Sequence, residues 1–190
     1  MGKQNWKPGN MLNPVPAVMV STADENGKPN ILTIAWAGTV CTNPPMVSIS
    51  VRPSRYSYEA IQKTGEFVIN LTDESLAYAC DYCGVVSGRE VDKFKKLGLT
   101  PLSMPHVSAP GIAASPVSIE CRVKNAVELG SHTMFTAEVL GVTVEDSYMD
   151  ENGKFDINCL GLIMYSHGEY FTLGKKVGKF GYSIKKKPSA

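Results

Sequence analysis

Two arginines and two serines crowd one short turn of this chain. In Met46-Val-Ser-Ile-Ser-Val-Arg-Pro-Ser-Arg-Tyr-Ser-Tyr-Glu-Ala-Ile61, the alternating apolar residues of a strand run through a turn directly into a helical pattern. Arg52 and Arg55 offer fork-shaped, charge-assisted hydrogen bonds to phosphate oxygens. Ser54 and Ser57 add hydroxyls beside the unpaired N–H groups of a helix start. That combination suits a phosphate ester. The same residues also read as a helix N-cap flanked by solvated arginines, and both readings stay open on this segment alone.

Cys80-Asp-Tyr-Cys83 is a lone CxxC. A metal site would need two more ligands at recognisable spacing and a thioredoxin motif would need a βαβ frame, neither of which the sequence offers. A pair spaced to share one helix face reads first as incidental. Of the three histidines, His106 falls in a Pro-rich stretch and His167 in a Tyr-Ser-His-Gly turn, so both are expected at the surface. His132 differs: Gly130-Ser-His132 opens a strand, where an imidazole serves either structure or a ligand. No nucleophile with a base beside it and no acid–base carboxylate pair stands out, so redox reactivity would have to come from a bound cofactor.

Strands must position these groups. Val47, Ile49 and Val51 are two apart, as are Val117, Ile119, Cys121 and Val123, the period of half-buried strands. Further β-rich runs cover 15–22, 31–36, 66–71, 134–144, 160–165 and 170–173, mostly bounded by Gly, Pro, Asn or Asp. Asp24-Glu-Asn-Gly-Lys-Pro29 predicts a hairpin turn. Helical periodicity is confined to 57–64, with Gly65 as a stop, to 74–83, and to 90–97. Regular βα alternation is missing, so the pattern predicts a mainly β, closed or split barrel with a few inserted helices. The stretch 102–116, with Pro105, Pro110, Gly111 and Pro116, predicts a long surface connection within one domain spanning 1–190.

Bulk properties narrow the class. With 190 residues and 43% hydrophobic content, one domain with a sizeable core is expected. The longest apolar runs fall far short of the ~18 residues that span a bilayer, and no apolar h-region precedes Pro14. A cytoplasmic location without membrane contact follows as the expectation. A net charge of +1 supplies no field that would gather nucleic acid. The basic run Lys185-Lys-Lys reads as a solvated tail, and five unevenly spaced cysteines read as reduced thiols rather than a disulfide framework.

From about Met11 to Ser183 the order of segments resembles the flavin reductase-like family, including its flavoredoxin branch. The pieces that carry the resemblance are Pro16-Ala-Val-Met-Val-Ser-Thr22, Asn30-Ile-Leu-Thr-Ile-Ala-Trp-Ala-Gly38, Asn43-Pro-Pro-Met-Val47 and the turn at Arg52 to Ser57. Thr64-Gly-Glu-Phe-Val-Ile-Asn-Leu71, Ser87-Gly-Arg-Glu-Val-Asp-Lys-Phe94, Gly130-Ser-His132 and Leu173-Gly-Lys175 complete the series. Each is short, but their order and spacing together are specific.

The resemblance implies an FMN-binding split β-barrel, usually a homodimer, that trades electrons with a nicotinamide, NADH or NADPH, or with a redox protein. It implies that Thr33, Ile34, Ala35 and Trp36 border the isoalloxazine, with backbone amides near its polar edge. Ser50, Val51, Arg52, Ser54, Arg55 and Ser57 would hold ribityl and phosphate, and Cys83, Gly84, Ser87 and Lys93 would approach the flavin from the following loop. His132 would stand on the nicotinamide side as the catalytic residue. No Gly-x-Gly-x-x-Gly follows a predicted strand, so a nicotinamide would bind on the flavin face rather than in a Rossmann site.

Overall fold

The computed structural model describes residues 1–184, and the Lys185-Lys-Lys run lies outside them. The chain is mainly β, as the alternation predicts. Its strands are β1 (Val15–Pro16), β2 (Val18–Ala23), β3 (Pro29–Ile34), β4 (Ala37–Thr42), β5 (Pro45–Val51) and β6 (Glu66–Leu71), with helix α1 (Tyr56–Thr64) between the last two. Helices α2 (Ala77–Val85) and α3 (Lys93–Leu97) follow, then β7 (Pro101–Leu102), β8 (Gly111–Ile112), β9 (Val117–Glu128), β10 (Thr133–Val144), β11 (Ile163–Ser166) and β12 (Glu169–Thr172).

Seven strands form one antiparallel sheet in the order β3-β2-β6-β9-β10-β5-β4. Its two edges, β3 and β4, are consecutive in the chain and separated only by Ala35 and Trp36. Three Cα steps reach at most about 11 Å, so the sheet must curl until its edges nearly meet at that end. Ser50 N–H donates to the Trp36 carbonyl at 2.9 Å and ties the crossing to β5. β3 and β4 do not pair with each other, so the barrel stays split along this seam.

The barrel interior takes alternate side chains: Val18 and Val20, Ile49 and Val51, Phe67 and Ile69, Phe135 and Ala137. Met19 and Ile31 point to the opposite face, against Ala79, Cys80 and Cys83 of α2 and Phe94 of α3. Covered on both sides, β2 is buried at every residue. Helix α1 ends where expected: Gly65 adopts φ 67° and its N–H returns to the Ile61 carbonyl at 3.0 Å.

Several expected elements shift. The run 15–22 is two strands, because β1 leaves the large sheet to pair with β11 in a three-stranded sheet with β12. The β2–β3 ladder therefore ends at Val18 opposite Ile34, and Ala35 and Trp36, expected to extend the strand 31–36, become the crossing. The edge strand β4 carried no alternation to announce it. In place of a helix over 90–97, Asp92 caps a short α3 by accepting from Lys95 N–H at 3.1 Å. The expected helix 74–83 opens as a 3-10 turn, Glu74–Leu76, before α2. The connection 102–116 is fastened to the barrel by the wholly buried Asn70, whose side-chain carbonyl accepts from Ile112 N–H at 2.8 Å.

Candidate functional site

An open cavity of about 740 Å³ lies on the seam. Its walls come from β3 and the crossing (Thr33, Ile34, Ala35, Trp36), from the end of β5 and the turn into α1 (Ser50, Val51, Arg52, Ser54, Arg55), and from Cys83, Ser87, Lys93 and His132. Of the residues named from the sequence, only Ser57 and Gly84 do not line it. Residues far apart in the chain converge because the seam joins β3 to β5 and the α2–α3 segment packs over the β3 edge.

The β3 edge supplies backbone polarity. The Ile31 carbonyl faces away from β2, where it accepts a hydrogen bond from Lys93. The strand alternation then turns the N–H and C=O groups of Thr33 to the same open side, and Ala35 continues the cavity wall into the crossing. The side chain of Thr33 is committed elsewhere, its hydroxyl donating to the Cys80 carbonyl.

The turn into α1 supplies anion-binding groups. Arg55 stands at the N-cap position without a side-chain cap, so neither Ser54 nor Ser57 acts as one and the first N–H groups of α1 stay unpaired by capping. Arg55 Nη1 donates to the Gly84 carbonyl at 2.9 Å, which ties the turn to the end of α2. The Arg52 carbonyl accepts from Arg55 N–H at 3.0 Å, while its guanidinium has no hydrogen-bond or ion-pair partner among the described residues. Ser57 is 1% exposed and turned away from the cavity, its hydroxyl accepting from Asn30 Nδ2 at 2.7 Å and from Thr22 at 3.1 Å. It therefore braces Asn30, which does line the cavity.

Lys93 is the most telling residue. Only 3% exposed, it donates to the carbonyls of Ile31 at 2.7 Å and Cys83 at 2.8 Å, and it has no carboxylate partner among the described residues. Burial holds its pKa below the ordinary lysine range, the Cys83 side chain opposing this and Arg55 adding to it. An ammonium has three donors, so one remains beyond the two carbonyls. Burial also pushes the Cys83 thiol up to about 11 and raises that of Cys80, so both are protonated at neutral pH and unsuited to nucleophilic work.

Electrostatics sort the cavity into two ends. Arg52, Arg55, Arg89 and Lys93 line it against one carboxylate, Glu90, in a protein whose net charge is only +1. The positive potential is thus local. Trp36 and Tyr165 make the other end aromatic. His132 is half-buried, and burial first, then Arg52 and Arg55, hold its pKa below the ordinary histidine range, so at neutral pH it is an uncharged imidazole. Its Nδ1 meets Ser131 Oγ at 2.9 Å, leaving Nε2 for a ligand.

Residues 11–174 match the model of the flavin reductase like domain. The chain belongs to the flavin reductase-like family. A protein of Archaeoglobus fulgidus is 35% identical over 145 residues, 76% of this chain and 81% of that one. The flavoredoxin of Desulfovibrio vulgaris (Miyazaki F) superposes with a TM-score of 0.89 at 33% identity, covering 97% of this chain and 100% of that one. A Shewanella frigidimarina protein with a split barrel domain, 22% identical over 91% of this chain and 89% of its own, shares the fold with a TM-score of 0.80. Membership places the chain among flavin-linked redox proteins.

The family's segments do not by themselves announce several residues of the wall. Asn30, Tyr56, Gly88 and Arg89 lie inside quoted motifs yet carried no separate signal, and Tyr165 comes from β11, more than a hundred residues from the turn. Arg89 donates to the Ser54 carbonyl at 3.0 Å and stacks on the Tyr56 ring at 5.6 Å, binding the α2–α3 loop to the anion-binding turn. Tyr58 packs edge-on against Phe135 at 5.7 Å, and its hydroxyl pairs with that of Thr133.

Proposed function

We propose that this flavin reductase-like chain is an FMN-binding oxidoreductase working as one domain and taking hydride from NADH or NADPH. The observation that carries the reading is the buried Lys93 ammonium, which has no counter-charge among the described residues and faces a cavity already rich in arginine. A buried charge paired only with neutral carbonyls is costly. A phosphate monoester supplies the missing anion, and Arg52, Arg55, Ser54, Ser87 and the α1 N-terminus give it donors. The volume falls in the range of roughly 300–1,000 Å³ usual for cofactor pockets.

Bound FMN would supply two-electron chemistry that no side chain here offers. The chain's own residues bind and orient it: the Thr33 and Ala35 backbone meets its polar edge, Trp36 and Tyr165 flank its planar part, and cations hold its phosphate. The test is a comparison of FMN with riboflavin by fluorescence titration. FMN should bind more tightly, and Arg52→Ala or Arg55→Ala should narrow the gap by about 1.5–3 kcal/mol. Equal affinities in the unmutated protein would refute the phosphate site.

His132, uncharged and beside the cavity, can donate or accept through Nε2 and so orient a nicotinamide. His132→Ala should keep FMN but slow its anaerobic reduction by NADH or NADPH at least ~10-fold, as stopped-flow bleaching would record. The 33% likeness to a flavoredoxin favours a second reading, an electron carrier reduced by a protein partner, which absence of reduction by either nucleotide would select. A ligand-binding barrel without redox chemistry would remain uncoloured.

We further propose a homodimer. The free edge β4 carries Val40 at 51% exposure, with Val142 and Leu129 also exposed on the β9–β10 side. Such an edge invites cover by a second copy. Sedimentation at micromolar concentration with FMN present should give twice the chain mass, and a monomer would rule it out.

A further inference from the structure

Past the indole of Trp36 lies a second cavity, of about 360 Å³, lined by Asn10, Asn13, Trp36, Tyr165, His167 and Gly168. Trp36 and Tyr165 line the first cavity too, so the two spaces adjoin at the aromatic end, away from the phosphate-binding cations. Their chemistry differs sharply. No lysine, arginine, aspartate or glutamate among the described residues lines the second cavity. A phosphate-bearing ligand would find no counter-charge there. A neutral, flat molecule with carbonyl oxygens would find aromatic faces to pack against and N–H donors on Asn10, Asn13 and His167.

His167 adds an independent observation. It is the one non-glycine residue with positive φ among the described residues, at 48°, and Gly168 follows at 93° in the turn joining β11 to β12. Two positive φ values make the hairpin turn that normally selects Asn-Gly. A histidine there holds a left-handed conformation that glycine and asparagine adopt more readily, and its ring has no hydrogen-bond partner among the described residues. The exposed ring lines the cavity with both nitrogens free of protein partners among the described residues, so a ligand seated there could exchange water for it.

We propose that this second cavity seats the electron acceptor, a neutral planar carbonyl compound of the quinone class, between Trp36, Tyr165 and His167. The inference rests on the flavin reading above. The quinone gains two electrons and two protons and leaves as the hydroquinone. Its two electrons would come from the reduced cofactor across the Trp36 indole, and its two protons from solvent, relayed by His167, since a hydride needs direct contact between the reacting atoms. The two electrons are those taken earlier from the nicotinamide donor, which ends oxidised.

Duroquinone is a suitable probe, because its ring has no free position for thiol addition. Calorimetry on the oxidised, FMN-loaded protein should show saturable duroquinone binding. His167→Gly keeps the positive φ while removing the imidazole, and Asn10→Phe fills the cavity from the exposed N-terminal arm. Each should weaken duroquinone binding at least ~10-fold while leaving FMN affinity within about twofold. After dithionite reduction, reoxidation of the wild type should saturate with duroquinone, whereas that of Asn10→Phe should stay linear. No binding to the FMN-loaded wild type at ~1 mM, a concentration that would register even a weak complex, would overturn the acceptor site and leave the FMN reading intact. Equal binding by both variants would do the same. Displacement of duroquinone by reduced nicotinamide mononucleotide, lost in the same variants, would assign the cavity to the donor and overturn the proposal. Failure of the wild type to take up FMN would remove the flavin reading first and the acceptor site with it.

Discussion

Replacing Lys93 with methionine is expected to cut FMN affinity about 100-fold while leaving riboflavin affinity within about twofold. The reasoning starts from the protein without ligand. There the ammonium is 3% exposed and partnered by two carbonyls, so burial disfavours the charged form and lowers the pKa. A cation with a depressed folded-state pKa destabilises the fold at neutral pH, and the penalty is relieved only as pH rises through that lowered value toward the unfolded one. Methionine fills similar volume without the charge. The ligand-free variant should therefore melt no lower than the wild type, even though two carbonyls lose a donor. The gain reverses when phosphate enters, because a desolvated ion pair that loses one partner costs about 2–5 kcal/mol. Titration of both flavins, with thermal melts of the ligand-free proteins, checks both halves. Parallel loss of FMN and riboflavin would mean that Lys93 shapes the loop rather than meeting the phosphate.

Gly88→Ala should weaken FMN binding by at least ~30-fold and lower the melting temperature, about 2 kcal/mol of overpacking. A Cβ on Gly88 would stand 2.2 Å from Asn30 Oδ1 and 2.6 Å from Tyr56 Cδ1. Neither neighbour can swing away cheaply: Asn30 is held by Ser57 at 2.7 Å, and the Tyr56 ring is flanked by Lys28 and Arg89 at 5.7 and 5.6 Å. The loop carrying Ser87 and Arg89 must then lift from the anion-binding turn. Gly84→Ala is the control, since its Cβ would meet Thr33 Cβ at 3.3 Å, a contact that a few tenths of an ångström relieves. It should change FMN affinity less than ~5-fold, well below the cost of an overpacked core. Wild-type affinity in Gly88→Ala would show that the loop does not close on the ligand.

Much of the site was legible because it is local. Arg52, Ser54 and Arg55 share one turn between a strand and a helix, a junction that suits an anion but reads equally as a capped helix start until the family resemblance is added. The family resemblance then gathered β3, the α2–α3 segment and His132 around it. Ser57 shows the limit of such reading. Its type and position matched a phosphate ligand, but helix geometry turns it inward onto Asn30 and Thr22. Tyr165 shows the opposite failure: nothing near β11 marks it, and it reaches the cavity only because β1 leaves the large sheet to pair with β11. The edge strand β4 escaped because its exposed faces impose no period of two.

From the sequence alone came a mainly β chain with few helices, a phosphate-seeking turn and membership of a flavin-binding family. These rest on alternation, turn residues and short motifs, which act over a few positions and survive without knowledge of the whole. Tertiary structure alone decided that Ala35 and Trp36 bridge opposite edges of one sheet, that a lysine without a counter-charge among the described residues lies buried facing a cavity, and that His167 meets Trp36 across a second cavity. Such facts depend on contacts between residues distant in the chain, where curl, burial and lost solvation set the energies, and no local pattern encodes them.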